Sequence, residues 1–116
     1  MVLRTPARRP AAKPGSAATF LFRTFEFVSR PDAAEACEQV IGALVARSGQ
    51  EPGTRFIASF RDADNPFHYM LTLVFEDVRA EVEHDTSPEA ERFRTAIEAA
   101  AADGVKARTW QADRGV

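Results

Sequence analysis

Few side chains in this sequence can trade a proton near neutral pH or bind a soft metal: His68 and His84 are its only histidines and Cys37 its only cysteine. His84 lies in FEDVRAEVEHDTSPEAERF, residues 75–93, where one short helical pattern ends and another begins. A free imidazole titrates near neutral pH, so at this place it can take or share a weakly acidic proton. It can equally hydrogen-bond one of the carbonyls that every helix end leaves free. His68 belongs to FHYMLTLVF, where it alternates with Met70, Thr72 and Val74, while Phe67, Tyr69, Leu71, Leu73 and Phe75 point the other way. Tyr69 and Phe75 could line an aromatic pocket, although aromatic stripes usually belong to a core. Trp110, in VKARTWQA, carries the same two meanings. One cysteine leaves no intramolecular disulfide, and two histidines add too few soft ligands for a structural zinc site. Cys37 falls on an apolar helical stripe and reads as a small core residue rather than a nucleophile.

The elements that must position these residues follow from periodicity. FLFRTFEFV, residues 20–28, is aromatic and β-branched and ends at SRPD, which marks a strand. Pro31 suits a first helical position, and Ala33, Ala34, Cys37, Val40, Ile41, Leu44 and Val45 then recur at helical spacing until Gly49. TRFIASFRD alternates, with Phe56, Ala58 and Phe60 on one face and Arg55, Ile57, Ser59 and Arg61 on the other; Arg55 and Arg61 read as solvated. The DADNP turn joins it to FHYMLTLVF as an antiparallel hairpin. Asp77 can cap a short helix with Val78 and Val82 on one side and Ala80 and His84 together on a flank. Ser87 and Pro88 start a further helix whose inward stripe is Ala90, Phe93, Ile97 and Ala100, closed by Gly104. VKARTWQA is the last strand. The order predicts an α+β, ferredoxin-like sandwich: a four-stranded antiparallel sheet with helices on one face. The third strand is apolar on both faces, so the side without helices needs a cover, and a second copy of the chain is expected to supply it.

A length of 116 residues, 45% of them hydrophobic and nine of them phenylalanine, suits one domain, placed at residues 20–112. Residues 1–19 hold Arg4, Arg8, Arg9 and Lys13 but no acid, and their Pro- and Ala-rich composition predicts a disordered basic tail; 113–116 form a C-terminal tail. The net charge is −2 with those four cations included, so the domain itself is acidic. An acidic domain does not suit a nucleic-acid groove, which needs a basic face. No apolar run approaches the ~20 residues of a membrane-spanning helix. A soluble, cytoplasmic protein is expected, bound to neither nucleic acid nor membrane.

In these residues the chain resembles the antibiotic biosynthesis monooxygenases, a family of dimeric α+β barrels that includes cofactor-independent quinol and anthrone oxygenases. The matching pieces are Glu51-Pro52-Gly53 before the second strand, Asn65-Pro66 in the hairpin, Phe75 ending the third strand, His84 nine residues later, and Ser87-Pro88. From Asn65 to Pro88 the pieces follow in order and without gaps, within a likeness that extends over about residues 20–110. Two positions depart from the family pattern: Leu73 stands where a glutamate is common, and Phe75 where tryptophan is usual. The heme-degrading branch of the fold relies on an asparagine in the first strand and a histidine on the last long helix. Asn65, in a turn, is the only asparagine here, and residues 90–102 contain no histidine.

The resemblance implies a homodimeric barrel that oxidises a small quinol- or anthrone-like aromatic with O₂ and needs no metal, flavin or other cofactor. Such chemistry asks for an apolar slot, one hydrogen-bonding group that favours the substrate phenolate, and exclusion of water. His84 is the candidate catalytic residue. Tyr69, Leu73, Phe75, His68 and Trp110 are the candidate pocket, with His68 also a candidate interface residue. Two rivals stand beside this reading. One is a ligand-binding or stress-related barrel that has lost its catalytic polar group, as Leu73 suggests; the other is a polyketide cyclase, which rearranges its substrate without consuming oxygen.

Overall fold

A computed structural model of the chain describes residues 20–114; the two predicted tails, 1–19 and the end of 113–116, lie outside that range wholly or in part. Four strands, β1 (Leu21–Val28), β2 (Thr54–Arg61), β3 (His68–Phe75) and β4 (Lys106–Gln111), form one antiparallel sheet in the order β2-β3-β1-β4. A 3₁₀ turn at Pro31–Ala33 leads into α1 (Ala34–Ser48), and α2 (Val78–Asp85) and α3 (Pro88–Ala100) separate β3 from β4. This is the ferredoxin-like arrangement that the element order predicts.

Alternation decides which strand residues face the helices. Leu21, Arg23, Phe25 and Phe27 of β1 and Tyr69, Leu71, Leu73 and Phe75 of β3 are buried on that face. They meet Cys37, Ile41 and Leu44 of α1 and Ala90, Phe93, Ile97 and Ala100 of α3, with Phe25 and Phe93 edge to face at 5.3 Å. Each large side chain buried this way contributes about 1.5–3 kcal/mol, so α1 and α3 are held by their apolar stripes. Ser87 caps α3 by accepting from the Ala90 amide at 3.1 Å, and Asp77 caps α2 by accepting from Ala80 at 2.9 Å.

The short helix α2 is docked otherwise. The sequence places Val78 and Val82 on one side of it, yet Val82 is 54% exposed while Ala80, Glu81 and His84 are buried. The reason lies across the domain, at Arg23, which points inward from β1. A buried guanidinium without a counter-ion costs several kcal/mol, whereas one exposed valine forgoes about 1.5, so the helix turns its carboxylates inward. Gly53 permits the close approach: a Cβ there would overlap the Ala80 methyl.

The other sheet face has no helix over it. Phe22, Phe56, Phe60, Met70 and Trp110 are 40–49% exposed there, as the doubly apolar third strand predicts. Paired residues share a face, so Phe22 opposite Trp110 and Phe60 opposite Met70 build one contiguous apolar surface.

Candidate functional site

His84 projects from the last turn of α2 into the space between that helix and the loop after α1, and is 2% exposed. Its Nδ1 lies 3.0 Å from Glu51 Oε1 and 3.3 Å from Ser48 Oγ. Its ring packs on Phe75 with centroids 5.1 Å apart. A carboxylate can only accept, so Nδ1 is the donor in this arrangement, and Nε2 makes no hydrogen bond among the described residues. Glu51 is itself oriented: Thr54 Oγ1 donates to its Oε1 at 2.8 Å, and the Thr54 amide donates to its carbonyl at 3.2 Å. Farther along the loop the Glu76 amide donates to the Gly53 carbonyl at 2.8 Å. The Glu-Pro-Gly-Thr loop thus fixes a carboxylate that fixes the imidazole tautomer. An imidazole oriented in this way by a carboxylate can serve as a general base through its other nitrogen.

Beside this pair lies an ion cluster that the sequence reading did not single out. Arg23 Nη1 and Nη2 donate to the two oxygens of Asp85 at 2.5 and 3.0 Å, and Nη2 also donates to Glu81. The guanidinium carbon sits 5.4 Å from the centre of the Phe75 ring, so Phe75 has His84 and Arg23 as neighbours. Arg94 closes the outer side, donating to the Asp85 carbonyl at 3.1 Å. The sequence does carry a signal for Arg23: it holds an inward position in a strand whose other inward residues are Leu21, Phe25 and Phe27.

The remaining candidates are spread along the sheet. Leu73 and Phe75 are fully buried on the helix face, and Phe75 packs on the His84 ring. Tyr69 shares their face but sits six residues along β3, about 20 Å away at ~3.3 Å per residue. There it donates to Glu38 at 3.0 Å, stacks on Phe27 and lies under the Arg61 guanidinium. Burial, and then the Glu38 carboxylate, push its phenol above the ordinary range. Tyr69 lines a cleft of about 540 Å³ between α1 and β2, together with Ile41, Gly42, Val45, Ser59 and the Glu38–Arg61 pair. Arg61 is therefore ion-paired, as is Arg55 with Glu76 at 3.1 Å. His68 and Trp110 belong to the opposite face, where His68 lies between Glu26, 2.8 Å from Nε2, and Asp62, 3.3 Å from Nδ1. Cys37 is completely buried beside Ser29. Among the described residues no group of three or more His, Cys, Asp or Glu is arranged to hold a metal, and no helix is long and apolar enough to cross a membrane.

Fold and site together define a ferredoxin-like α+β protein with a solvent-shielded imidazole–carboxylate pair between its sheet and its shortest helix. Residues 20–96 match the family model of the antibiotic biosynthesis monooxygenases, and the chain belongs to that family. Its fold is similar to that of Rv0793 from Mycobacterium tuberculosis, with TM-score 0.76 and 21% identity over 83% of this chain and 97% of the other. It is similar also to PA3566 from Pseudomonas aeruginosa, with TM-score 0.74 and 25% identity over 86% of this chain and all of the other. A solved antibiotic biosynthesis monooxygenase aligns with TM-score 0.73 and 20% identity, covering 81% of this chain and 99% of its own. No curated protein matches the sequence at a significant level.

Proposed function

We propose that this protein is a monooxygenase acting on a small quinol- or anthrone-like aromatic with O₂, without bound metal or flavin, in the cytoplasm. The observation that carries the reading is the Glu51–His84 pair, whose Nδ1 bond leaves Nε2 as the base in a site shielded from water. His84 Nε2 takes the phenolic or enolic proton, and the resulting electron-rich anion reacts with O₂. One oxygen atom enters the ring carbon and the other leaves as water. The substrate supplies all four electrons: a CH₂ becomes C=O in an anthrone, or a quinol becomes a hydroxyquinone. Shielding matters because bulk water would stabilise the anion and blunt its reactivity. The positive face of this mechanism is modest in its demands on the protein, since positioning and one proton transfer suffice.

The active form in this reading is a homodimer paired through the uncovered sheet face. The contiguous surface of Phe22, Phe56, Phe60, Met70 and Trp110 supports it, because soluble chains seldom leave so much apolar area open.

A second reading, a binder of small aromatics without chemistry, is favoured by the 540 Å³ cleft at Tyr69, which lies at the other end of β3 from His84. Native mass spectrometry against an aromatic library, followed by oxygen-electrode traces on whatever binds, separates the two. Binding with oxygen uptake supports the oxygenase, and binding alone supports the carrier. Binding with a rearranged product and no uptake supports a cyclase.

A further inference from the structure

We infer that Arg23 is a positioning residue for His84, acting through α2. This rests on the reading of His84 as the base, but its test does not depend on turnover.

Three observations converge on it. First, α2 has a thin apolar hold on the domain: Ala80 is buried and Val78 is half-buried against the core, while the other two fully buried residues of its eight, Glu81 and His84, are polar. A helix that buries one methyl group, part of one valine and two polar side chains depends heavily on its polar bonds. Second, the bonds that Arg23 makes are geometrically specific. Its Nη1 and Nη2 meet both oxygens of Asp85 as a fork, and Nη2 reaches Glu81 one turn earlier on the same helix. A planar fork engaging two residues four apart fixes the height of α2 along its own axis as well as its rotation. His84 lies between those two residues in sequence, so its ring direction follows. Third, Arg23 reaches the other side of the imidazole as well, because its guanidinium sits over Phe75 and Phe75 packs on His84.

The cluster is a poor choice for stability alone. Arg23 is 3% exposed and its Nε is buried with no hydrogen-bond partner, a donor left unpaid by any acceptor among the described residues. Buried ion pairs of this kind can often be replaced by apolar side chains without loss of stability. Direction is what the ions add: an apolar contact would let the short helix slide or turn, and a forked guanidinium does not. Glu51 holds Nδ1 from the loop side, and Arg23 holds the helix that presents the ring.

The test uses the full chain labelled with ¹⁵N-histidine. Only two histidines exist, and His68→Gln assigns the spectrum. The wild type is expected to show His84 as one tautomer with the proton on Nδ1, exchanging slowly with solvent. Arg23→Lys keeps the charge and loses the fork. It is expected to show a mixture of tautomers and at least tenfold faster exchange of that proton, with circular dichroism like the wild type. Asp85→Asn weakens the fork while Glu81 still neutralises Arg23, so it carries the test if Arg23→Lys fails to fold; a smaller change of the same kind is expected. Arg79→Ala, which removes an exposed pair with Glu83 on the same helix, is the control and should leave His84 unchanged. With anthrone as the probe, both fork variants should lose at least tenfold in kcat with KM within threefold. Unaltered His84 resonances in folded Arg23→Lys and Asp85→Asn would overturn the inference, and so would an equal change in Arg79→Ala. Altered resonances in a protein that never consumes oxygen would uphold Arg23 as the positioning residue and overturn the oxygenase reading instead.

Discussion

Replacing His84 by alanine removes the proposed base and also the hydrogen-bond donor that Glu51 meets in the interior. Two effects are expected, and they differ in size. Turnover of anthrone should fall about 10²-fold, the lower end of what a positioned base contributes, or about 2.7 kcal/mol on the barrier. Stability should fall as well, because Nδ1 gives up a charge-assisted bond to Glu51 and the ring gives up its contact with Phe75. A hydrogen bond to a charged group is worth about 1.5–3 kcal/mol. For a domain of this size about 2 kcal/mol lowers Tm by roughly 10 °C. His84→Gln separates the effects, since its amide can still donate to Glu51 but cannot accept the substrate proton. Oxygen uptake is read on an electrode at neutral pH, and Tm by circular dichroism. The expected pattern is a turnover loss in both variants and a larger Tm loss in alanine than in glutamine. Wild-type turnover in both, with only Tm reduced, would refute the base assignment and leave His84 as a strut between α2 and the loop. Rescue of turnover by glutamine would show that the ring orients the substrate and moves no proton.

Gly53→Ala should lower Tm by several degrees, since overpacking typically costs about 1–3 kcal/mol and the new methyl overlaps that of Ala80; an unchanged melt would mean that α2 yields freely. Met70→Glu places a charge on the uncovered sheet face and should turn a dimer into a monomer in sedimentation at micromolar concentration. A wild type already monomeric there would sink the dimer. Burial pushes the Cys37 thiol above its ordinary range, against weaker opposing pulls from the Ser29 hydroxyl and Arg30. Its neutral form is therefore favoured in the fold: that stability is fully present below the ordinary thiol pKa of about 8.5 and is lost as pH rises through the raised native value. Between pH 8 and 10 the wild type should lose more stability to urea than Cys37→Ala does, and parallel losses would contradict the assignment.

Much of this molecule is legible in the residues themselves. Alternation in FLFRTFEFV and FHYMLTLVF places Phe25, Phe27, Leu71 and Leu73 inward and Phe22 and Met70 outward, because successive strand side chains must point to opposite faces. The stripes Cys37–Ile41–Leu44 and Ala90–Phe93–Ile97–Ala100 are buried as their spacing predicts, and Asp77 and Ser87 cap the helices they precede. These features are local, set by backbone geometry within a few residues. The orientation of α2 is not local. Val78, Glu81, Val82 and Asp85 stand at i, i+3, i+4 and i+7 and share one broad arc of the helix, and periodicity cannot say which part of that arc turns inward. Arg23 decides it, from 58 residues away. His84 likewise has as partners Glu51 and Ser48, 33 and 36 residues earlier, rather than the helix-end carbonyl that its position suggests. Tyr69 and Phe75 share a strand face in sequence and in space, yet the length of the strand sets them at opposite ends of the domain. Which polar groups meet inside depends on how the layers close over a buried charge, and only the tertiary structure brings Arg23, Glu81, Asp85, His84 and Glu51 within bonding distance of their partners.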